Sequence, residues 1–191
     1  NTGTNNTAVG DQAMYAYTSG SNNAALGSKA LSANTSGGQN TATGASSLLS
    51  NTTGIENMAS GFQALTGNVT GSYNTAVGSQ SMQQNVSGSD NTAIGYYSLL
   101  NNNSSNNTAV GSYAMEHNTT GSDNISIGNG SLYWSTGGSN NVVLGNLAGY
   151  NTEGSGNVMI GYNAGAFEIG SDKLYIHNSN GNATEALIYG D

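Results

Sequence analysis

One short motif recurs along the whole chain at an almost constant spacing, and it limits the possible folds more than any other feature. Each copy is similar to N-T-A-V-G, and the glycines that end successive copies lie 17 or 16 residues apart. We call these ten the marker glycines: Gly10, Gly27, Gly44, Gly61, Gly78, Gly95, Gly111, Gly128, Gly145 and Gly161. A motif repeated this often is typical of a structural building unit, whereas a catalytic loop occurs once.

A repeat of 17 residues predicts one coil of a parallel β-solenoid. Two-helix repeats are excluded because they need more than about thirty residues. The stretch N-T-A-V-G is typical of a strand that a glycine ends, and N-T-T-G-S is typical of a turn. We therefore expect an all-β fold, a parallel β-solenoid (β-roll) of about ten 17-residue coils. Each coil should contain two short strands and two turns.

The regular pattern stops near residue 166, and the rest of the chain has a different character. We expect a solenoid domain over residues 1–166 and a short hairpin-like β cap or neck over residues 167–191. Within the cap, residues 174–177 and 186–189 are predicted strands on either side of a turn at residues 180–182. The chain opens inside a repeat and without Met, so we expect a fragment or a processed product.

An asparagine stands four residues before every marker glycine. In stacked coils identical side chains lie about 4.8 Å apart, so these amides can hydrogen-bond along the stack as a ladder. A row of glycan or ice contacts is the functional alternative. The marker glycines themselves are predicted turn residues, because glycine adopts positive φ without steric cost. The predicted ladder consists of Asn6, Asn23, Asn40, Asn57, Asn74, Asn91, Asn107, Asn124, Asn141 and Asn157.

Two columns of the repeat exchange volume near its end. The fourth residue after the marker glycine is Leu or Met in eight repeats, but it is Gly149 and Gly165 in the last two. In those same repeats the alanine two residues before the marker glycine is replaced by Val143 and Met159. The exchange indicates that both columns fill the same narrow interior, where the packing density is fixed.

Strand alternation then places the residue just before the marker glycine on the outside of the coil. This column is aliphatic in eight repeats, with Thr43 and Ser60 in the other two. Such a stripe is too large to leave in water, so we expect a cyclic homo-oligomer in which the stripes meet. The predicted subunit interface consists of Val9, Leu26, Val77, Ile94, Val110, Ile127, Leu144 and Ile160.

The composition narrows the function. The net charge of −8 argues against nucleic acid and anionic membranes as partners, and no apolar run reaches the length of a membrane span. His117 and His177 are expected to be solvated rather than metal ligands. No catalytic triad, phosphate loop or calcium-binding repeat is present, so we predict no enzyme activity, no metal and no cofactor. Sequons at Asn51, Asn68 and Asn118 are attributed to composition.

Aromatic residues outside the core columns are the candidates for a binding surface. Tyr and Trp offer flat contact area with a polar edge and are enriched at interfaces. Aromatic cover over a turn is the structural alternative. The candidate receptor contacts, for a cell-surface glycan or protein, are Tyr15, Tyr17, Tyr96, Tyr97, Tyr133 and Trp134.

The N-T-A-V-G units with their N-T-T-G-S turns resemble the head repeats of trimeric autotransporter adhesins and repeats of phage tail fibres and bacterial surface fibres. The tail, K-L-Y-I-H-N-S followed by L-I-Y-G-D, resembles the segment before the intramolecular chaperone domain of endosialidase-type tail fibres. The resemblance implies a homotrimer of left-handed parallel β-rolls that is extracellular, on a cell surface or on a virion. No catalytic residue carries over, because no position matches one.

Three functions follow from these observations. The first is a structural and adhesive segment of a trimeric fibre that presents a host- or surface-binding face. The second is an ice-binding β-solenoid, since Thr7, Thr41, Thr75, Thr92 and Thr108 form a threonine column. That column is interrupted in the other five repeats. The third is a subunit of an end-to-end filament, which needs two adhesive solenoid ends.

Overall fold

The structure, a computed structural model of the 191-residue chain, describes residues 2–178 and, for the backbone alone, residues 188–190. The described strands, each three residues long, form one sheet in sequence order. Strands β1 to β11 pair in parallel with their neighbours, which confirms the predicted parallel β-solenoid of about ten coils. The strands are β1 Thr7–Val9, β2 Ala24–Leu26, β3 Thr41–Thr43, β4 Met58–Ser60, β5 Thr75–Val77, β6 Thr92–Ile94, β7 Thr108–Val110, β8 Ile125–Ile127, β9 Val142–Leu144, β10 Val158–Ile160, β11 Leu174–Ile176 and β12 Ile188–Gly190.

The strand register keeps every repeat column aligned, even where a repeat is one residue shorter. Thr75 pairs with Thr92 across a 17-residue repeat, and Thr92 pairs with Thr108 across a 16-residue repeat. The missing residue is therefore taken from the turn at residues 101–106, outside the sheet. A one-residue slip of a strand would turn every side chain to the opposite face, so the shortening must fall in a turn.

Each coil contains one short strand, and the prediction of two was wrong. The second and fourth residues after the marker glycine adopt positive φ, as in Gln63 (55°) and Leu65 (51°). This left-handed backbone interrupts the extended conformation, so that side of the coil is a series of turns. The coils are still hydrogen-bonded to each other there, since the Leu65 N–H donates to the Ser81 carbonyl at 3.0 Å.

The core is a narrow column inside the coils. It is filled by the middle residue of strands β2 to β11 and by the third and fourth residues after each marker glycine, as with the fully buried Ala59, Ala64 and Leu65. A Cβ added to Gly165 or Gly149 would lie 2.7 or 3.1 Å from the sulfur of Met159. The predicted exchange of volume between the two inward columns is therefore confirmed.

The asparagines four residues before the marker glycines stack in one line, and all except Asn6 in the first coil are buried. In a typical step, the N–H and Nδ2 of Asn57 both donate to Asn40 Oδ1, at 2.9 and 3.1 Å. The same Nδ2 donates to the Gly71 carbonyl at 2.8 Å. Each amide thus joins two coils and satisfies a turn carbonyl of its own coil that water cannot reach.

A second asparagine ladder, which the sequence analysis missed, lies seven residues after the marker glycines. Asn68 Nδ2 donates to Asn51 Oδ1 at 2.8 Å and to the Gly71 carbonyl at 2.9 Å, so the two ladders meet at the same turn. The sequons contained the signal, because their asparagines belong to this column and are fully enclosed rather than open to modification. The second ladder consists of Asn34, Asn51, Asn68, Asn85, Asn102 and Asn118.

The marker glycines occupy a backbone conformation that other residues rarely adopt. Gly78 has a φ of +134°, and a Cβ built there would lie 2.5 Å from the Gly95 carbonyl oxygen. Both the positive φ and the close approach of the next coil exclude a side chain. The remaining marker glycines have positive φ as well.

The parallel stacking continues beyond residue 166. Strand β11 pairs with β10 in the register of the preceding coils, with Tyr175 opposite Met159 in the inward column. Strand β12 then runs antiparallel to β11. The predicted turn at residues 180–182 and the first two residues of the predicted strand 186–189 lie outside the described residues.

Candidate functional site

The outer face of the sheet carries a long column of apolar side chains. The third residue of strands β1 to β10 points away from the core, and its exposed fraction reaches 56% at Val9 and 46% at Leu144. Val77, Val110 and Ile160 are half-buried. We call this column the aliphatic stripe: Val9, Leu26, Val77, Ile94, Val110, Ile127, Leu144 and Ile160. It crosses ten strands, roughly 50 Å at the usual strand spacing.

The first residue of strands β1 to β10 forms a second outward column beside the stripe. It carries the threonines at positions 7, 41, 75, 92 and 108, and in the other coils Ala24, Met58, Ile125, Val142 and Val158. Met58 and Ile125 are among its exposed members. The outer face of the sheet is therefore regular in spacing and mainly apolar in chemistry.

Seven rings from four consecutive repeats form one connected aromatic cluster outside the sheet. Tyr96 stacks on Tyr97 with ring centres 4.0 Å apart. His117 stacks on Trp134 at 4.0 Å and 8°. Edge contacts complete the connection. The aromatic cluster consists of Tyr96, Tyr97, Tyr113, His117, Tyr133, Trp134 and Tyr150.

The structure divides the six candidate receptor contacts into two groups. Tyr96, Tyr97, Tyr133 and Trp134 belong to the aromatic cluster. The other two lie in the first coil, where the Tyr15 side chain is 80% exposed. Tyr17 occupies the column of the second asparagine ladder, and its hydroxyl donates to the Gly20 carbonyl and accepts a bond from Asn6. Tyr17 therefore has a structural place at the end of the stack.

Glu116 places a buried carboxylate next to the aromatic cluster. Its Oε1 lies 3.8 Å from His117 Nε2, and its buried Oε2 has no hydrogen-bond partner among the described residues. Burial, together with this carboxylate, raises the pKa of Tyr133 above its ordinary value. A hydrogen bond with Tyr97, helped by desolvation, raises the pKa of Tyr96 to about 12. Both shifts favour the protonated phenol, which can donate a hydrogen bond.

A groove of about 180 Å³ opens beside the cluster between two columns of side chains. Its walls are Tyr113, Tyr133, Leu147 and Tyr150, and Asn129 and Gly130 complete the lining. The rings of Tyr133 and Tyr150 are parallel within 5°, with centres 5.3 Å apart. They form a continuous aromatic wall across two coils.

The groove continues into the next coil. A second depression of about 220 Å³ shares Leu147 and Tyr150 with the first and is completed by Asn163, Ala166 and Phe167. The Phe167 side chain is 74% exposed and marks the far end. We call the two depressions together the aromatic groove, and it spans three coil steps, about 14 Å. None of its lining residues belongs to the sheet.

Other chemistry is limited in the described part of the chain. His177 is 2% exposed, so the expectation that both histidines are solvated was wrong for this residue. It directly follows β11, and its N–H donates to the Ile160 carbonyl at 3.0 Å. No cluster of three or more His, Asp or Glu side chains within residues 2–178 could hold a metal ion. Nor do the described residues contain a helix long and apolar enough to cross a membrane.

Comparisons of this chain with protein-family models, with curated proteins and with solved structures find no match in any of the three.

Proposed function

We propose that this chain is a structural and adhesive segment of a trimeric fibre, extracellular or carried on a virion. In this arrangement three solenoids meet through the outer faces of their sheets, and the opposite sides present a surface for attachment. The observation that carries the proposal is the aliphatic stripe, which runs from β1 to β10, is exposed or half-buried in each member, and is interrupted at Thr43 and Ser60.

The size of the stripe supports self-association. Soluble monomers rarely expose a continuous apolar patch of more than a few hundred square ångströms, and larger ones mark interaction sites. Eight of the ten coils contribute an aliphatic side chain at the same position, so an identical solenoid presents a matching surface. Closed cyclic symmetry lets each copy cover its stripe without leaving an adhesive edge. The proposal of three chains, rather than another number, comes from the sequence resemblance to fibre repeats.

The interior of the solenoid supports a shaft-like role. Two asparagine ladders and the backbone hydrogen bonds of every coil connect each repeat to the next. A chain of such nearest-neighbour contacts makes a rod that resists bending at any single coil. The aromatic cluster lies outside the sheet, so it remains open to a receptor when sheet faces meet.

The test is the solution mass, measured by light scattering after size exclusion at two protein concentrations about tenfold apart. We expect three chains at both concentrations, because a stripe of this length should not dissociate on mild dilution. A monomer that stays folded at both concentrations would contradict the proposal, since the stripe would then be stable in water.

An ice-binding solenoid is the second candidate, and the regular outer face of the sheet favours it. The five threonines in the first-residue column repeat at strand spacing. Five other residues interrupt that column with larger or apolar side chains, and the neighbouring column is aliphatic. If the chain is monomeric, incorporation of the protein into growing ice would support the ice-binding function, and its exclusion from ice would contradict that function.

A further inference from the structure

The aromatic groove exists because one column has a glycine where the other coils have a side chain. Gly130 is the second residue after its marker glycine and has a φ of +60°. The same position is non-glycine in the other nine coils at nearly the same φ, for example Gln63 at 55° and Tyr113 at 61°. The backbone therefore does not require glycine at this place. What glycine supplies there is space between Tyr113 and Leu147.

A second small residue extends the space in the same direction. Ala166 is the fifth residue after its marker glycine, in the column that holds Tyr133 and Tyr150 in the two preceding coils. No other coil has alanine in that column. A Cβ added at Gly130 would meet only the flexible end of Leu147, at 2.8 Å, so the opening is bounded by side chains and not by backbone.

The lining combines apolar faces with neutral hydrogen-bonding groups. The rings of Tyr113, Tyr133, Tyr150 and Phe167 offer flat apolar area, and the phenol hydroxyls donate and accept. The amides of Asn129 and Asn163, one in each depression, supply further donors and acceptors. Sites that bury an apolar ligand face and fix its orientation by a few polar groups have this composition.

Charge restricts the ligand further. The groove's lining contains no Asp, Glu, His or Arg, and neither of the two lysines of the chain is among its residues. The chain carries a net charge of −8, and the buried Glu116 carboxylate lies next to Tyr133. An anionic ligand would meet repulsion and find no cation to pair with it.

We infer that the aromatic groove binds a neutral oligosaccharide, whose sugar rings pack their C–H faces on the tyrosines while their hydroxyls bond to the flanking amides. The inference rests on the proposed adhesive function and names the class of its receptor. The length of the groove, three coil steps, suits a short run of sugar units rather than a single monosaccharide.

The chain contains its own reporter for this test. Trp134 is the only tryptophan, and its Nε1 donates to the Tyr150 hydroxyl in the groove wall at 3.2 Å. The experiment titrates the full chain with neutral gluco-, chito- and N-acetyllactosamine oligosaccharides and with sialylated and sulphated ones, and it follows tryptophan fluorescence. We expect saturable change with at least one neutral series and none with the acidic sugars.

Matched variants separate the groove from the rest of the surface. Gly130→Gln introduces a glutamine, which three other coils already carry in this column as Gln12, Gln63 and Gln80. The fold is therefore preserved while the groove is filled. We expect affinity to fall by about tenfold or more. Ser46→Gln makes a comparable change in the same column away from the groove, and Phe167→Ala removes an exposed wall. The Ser46→Gln chain should bind as the unmodified chain does, and the Phe167→Ala chain should bind more weakly.

Three results would overturn the inference: no neutral series that saturates, equal or tighter binding of the acidic sugars, or Gly130→Gln binding unchanged. The solution mass of the same sample separates this result from the proposed assembly. A trimer that binds no sugar overturns the inference alone. A monomer whose groove binds a neutral sugar upholds the inference and contradicts the trimeric fibre.

Discussion

Asn74 makes four hydrogen bonds with a single amide side chain. Its Oδ1 accepts from the N–H and Nδ2 of Asn91, both at 3.1 Å, and its Nδ2 donates to Asn57 Oδ1 at 3.1 Å and to the Gly88 carbonyl at 2.8 Å. Substitution of one such residue leaves several enclosed polar groups unpaired. That cost exceeds the value of the bonds themselves.

We therefore predict that Asn74→Ala destabilises the fold by about 3 kcal/mol. The measurement is the midpoint and slope of chemical unfolding, compared with Asn146→Ala as a control, because the Asn146 side chain is exposed. The control should change stability by less than about 0.5 kcal/mol. Equal effects of the two substitutions would show that the ladder bonds of Asn74 do not stabilise the fold.

Gly78 and Gly130 occupy different positions of the repeat, and a separate prediction compares them. Gly78→Ala should destabilise strongly or prevent folding, because its Cβ would lie 2.5 Å from the Gly95 carbonyl oxygen. Gly130→Ala should be tolerated, because other coils hold side chains at the same φ. Thermal melting of both variants checks this. A Gly78→Ala chain that melts like the unmodified one would remove the steric argument for all the marker glycines.

At the scale of the single coil, the strained backbone conformation destabilises the fold, and stacking on neighbouring coils stabilises it. Among the described residues, 27 non-glycine residues have positive φ, including the core leucines, and each such residue costs of order 1 kcal/mol. An isolated coil has nothing to offset that cost. Stacking offsets it, because each coil gains ladder and backbone hydrogen bonds only when a neighbour is present. The same left-handed residues interrupt the extended conformation, so that side of the coil does not form a strand.

The last coil should be sensitive to acid. Partial burial opposes ionisation of Glu168, but hydrogen bonds from the Tyr175 hydroxyl and the Gly170 N–H, with the charge of Lys173, outweigh it and lower the pKa of the carboxyl. A lowered pKa means that the ionised form stabilises the fold above its unfolded pKa, about 4.3. That contribution is lost as the pH falls through the lower, folded value.

Hydrogen exchange can measure this effect locally. The Val158 N–H, which donates to the Lys173 carbonyl at 2.8 Å, should lose protection below about pH 4 after correction for intrinsic exchange. The Ile125 N–H in the middle of the stack should not. In Glu168→Gln this additional pH dependence should disappear. A Val158 protection profile that is the same in both chains would mean that Glu168 does not hold the coil.

At the scale of the whole molecule, the sheet face decides whether the chain acts alone. Val110 lies in the middle of the aliphatic stripe, at the end of β7. Val110→Asp places a charge there that an interface between stripes would bury without a partner. We predict that the variant has the mass of one chain in light scattering, whereas the unmodified protein has three.

Ser112→Asp is the matched control, because it adds the same charge two residues away, in the column where the first coil carries Asp11. It lies outside the sheet and should leave the mass unchanged. A variant Val110→Asp that keeps the mass of the parent would place any association on another surface. A control that dissociates as readily would attribute the effect to net charge.

Much of the fold was predictable because the repeat supplies the same information ten times. The volume exchange between Met159 and the paired glycines indicated which columns face inward, and the structure confirms it. The second ladder was missed because its asparagines also fit the sequon pattern and because Tyr17, Ser135, Thr152 and Glu168 interrupt the column in other coils. In the aromatic cluster, the sequence analysis named four of the seven rings as candidate contacts and missed Tyr113, His117 and Tyr150 in that role.

The sequence by itself determined the period, the coil number, the strand register and which strand residues face the core, since each follows from local spacing and alternation. The tertiary structure alone decided the aromatic groove. Its lining comes from four coils, between Tyr113 and Phe167, and no local rule joins residues so far apart in the chain. They meet because the left-handed turns after each marker glycine set the direction of every side chain, and stacking then aligns those directions across coils.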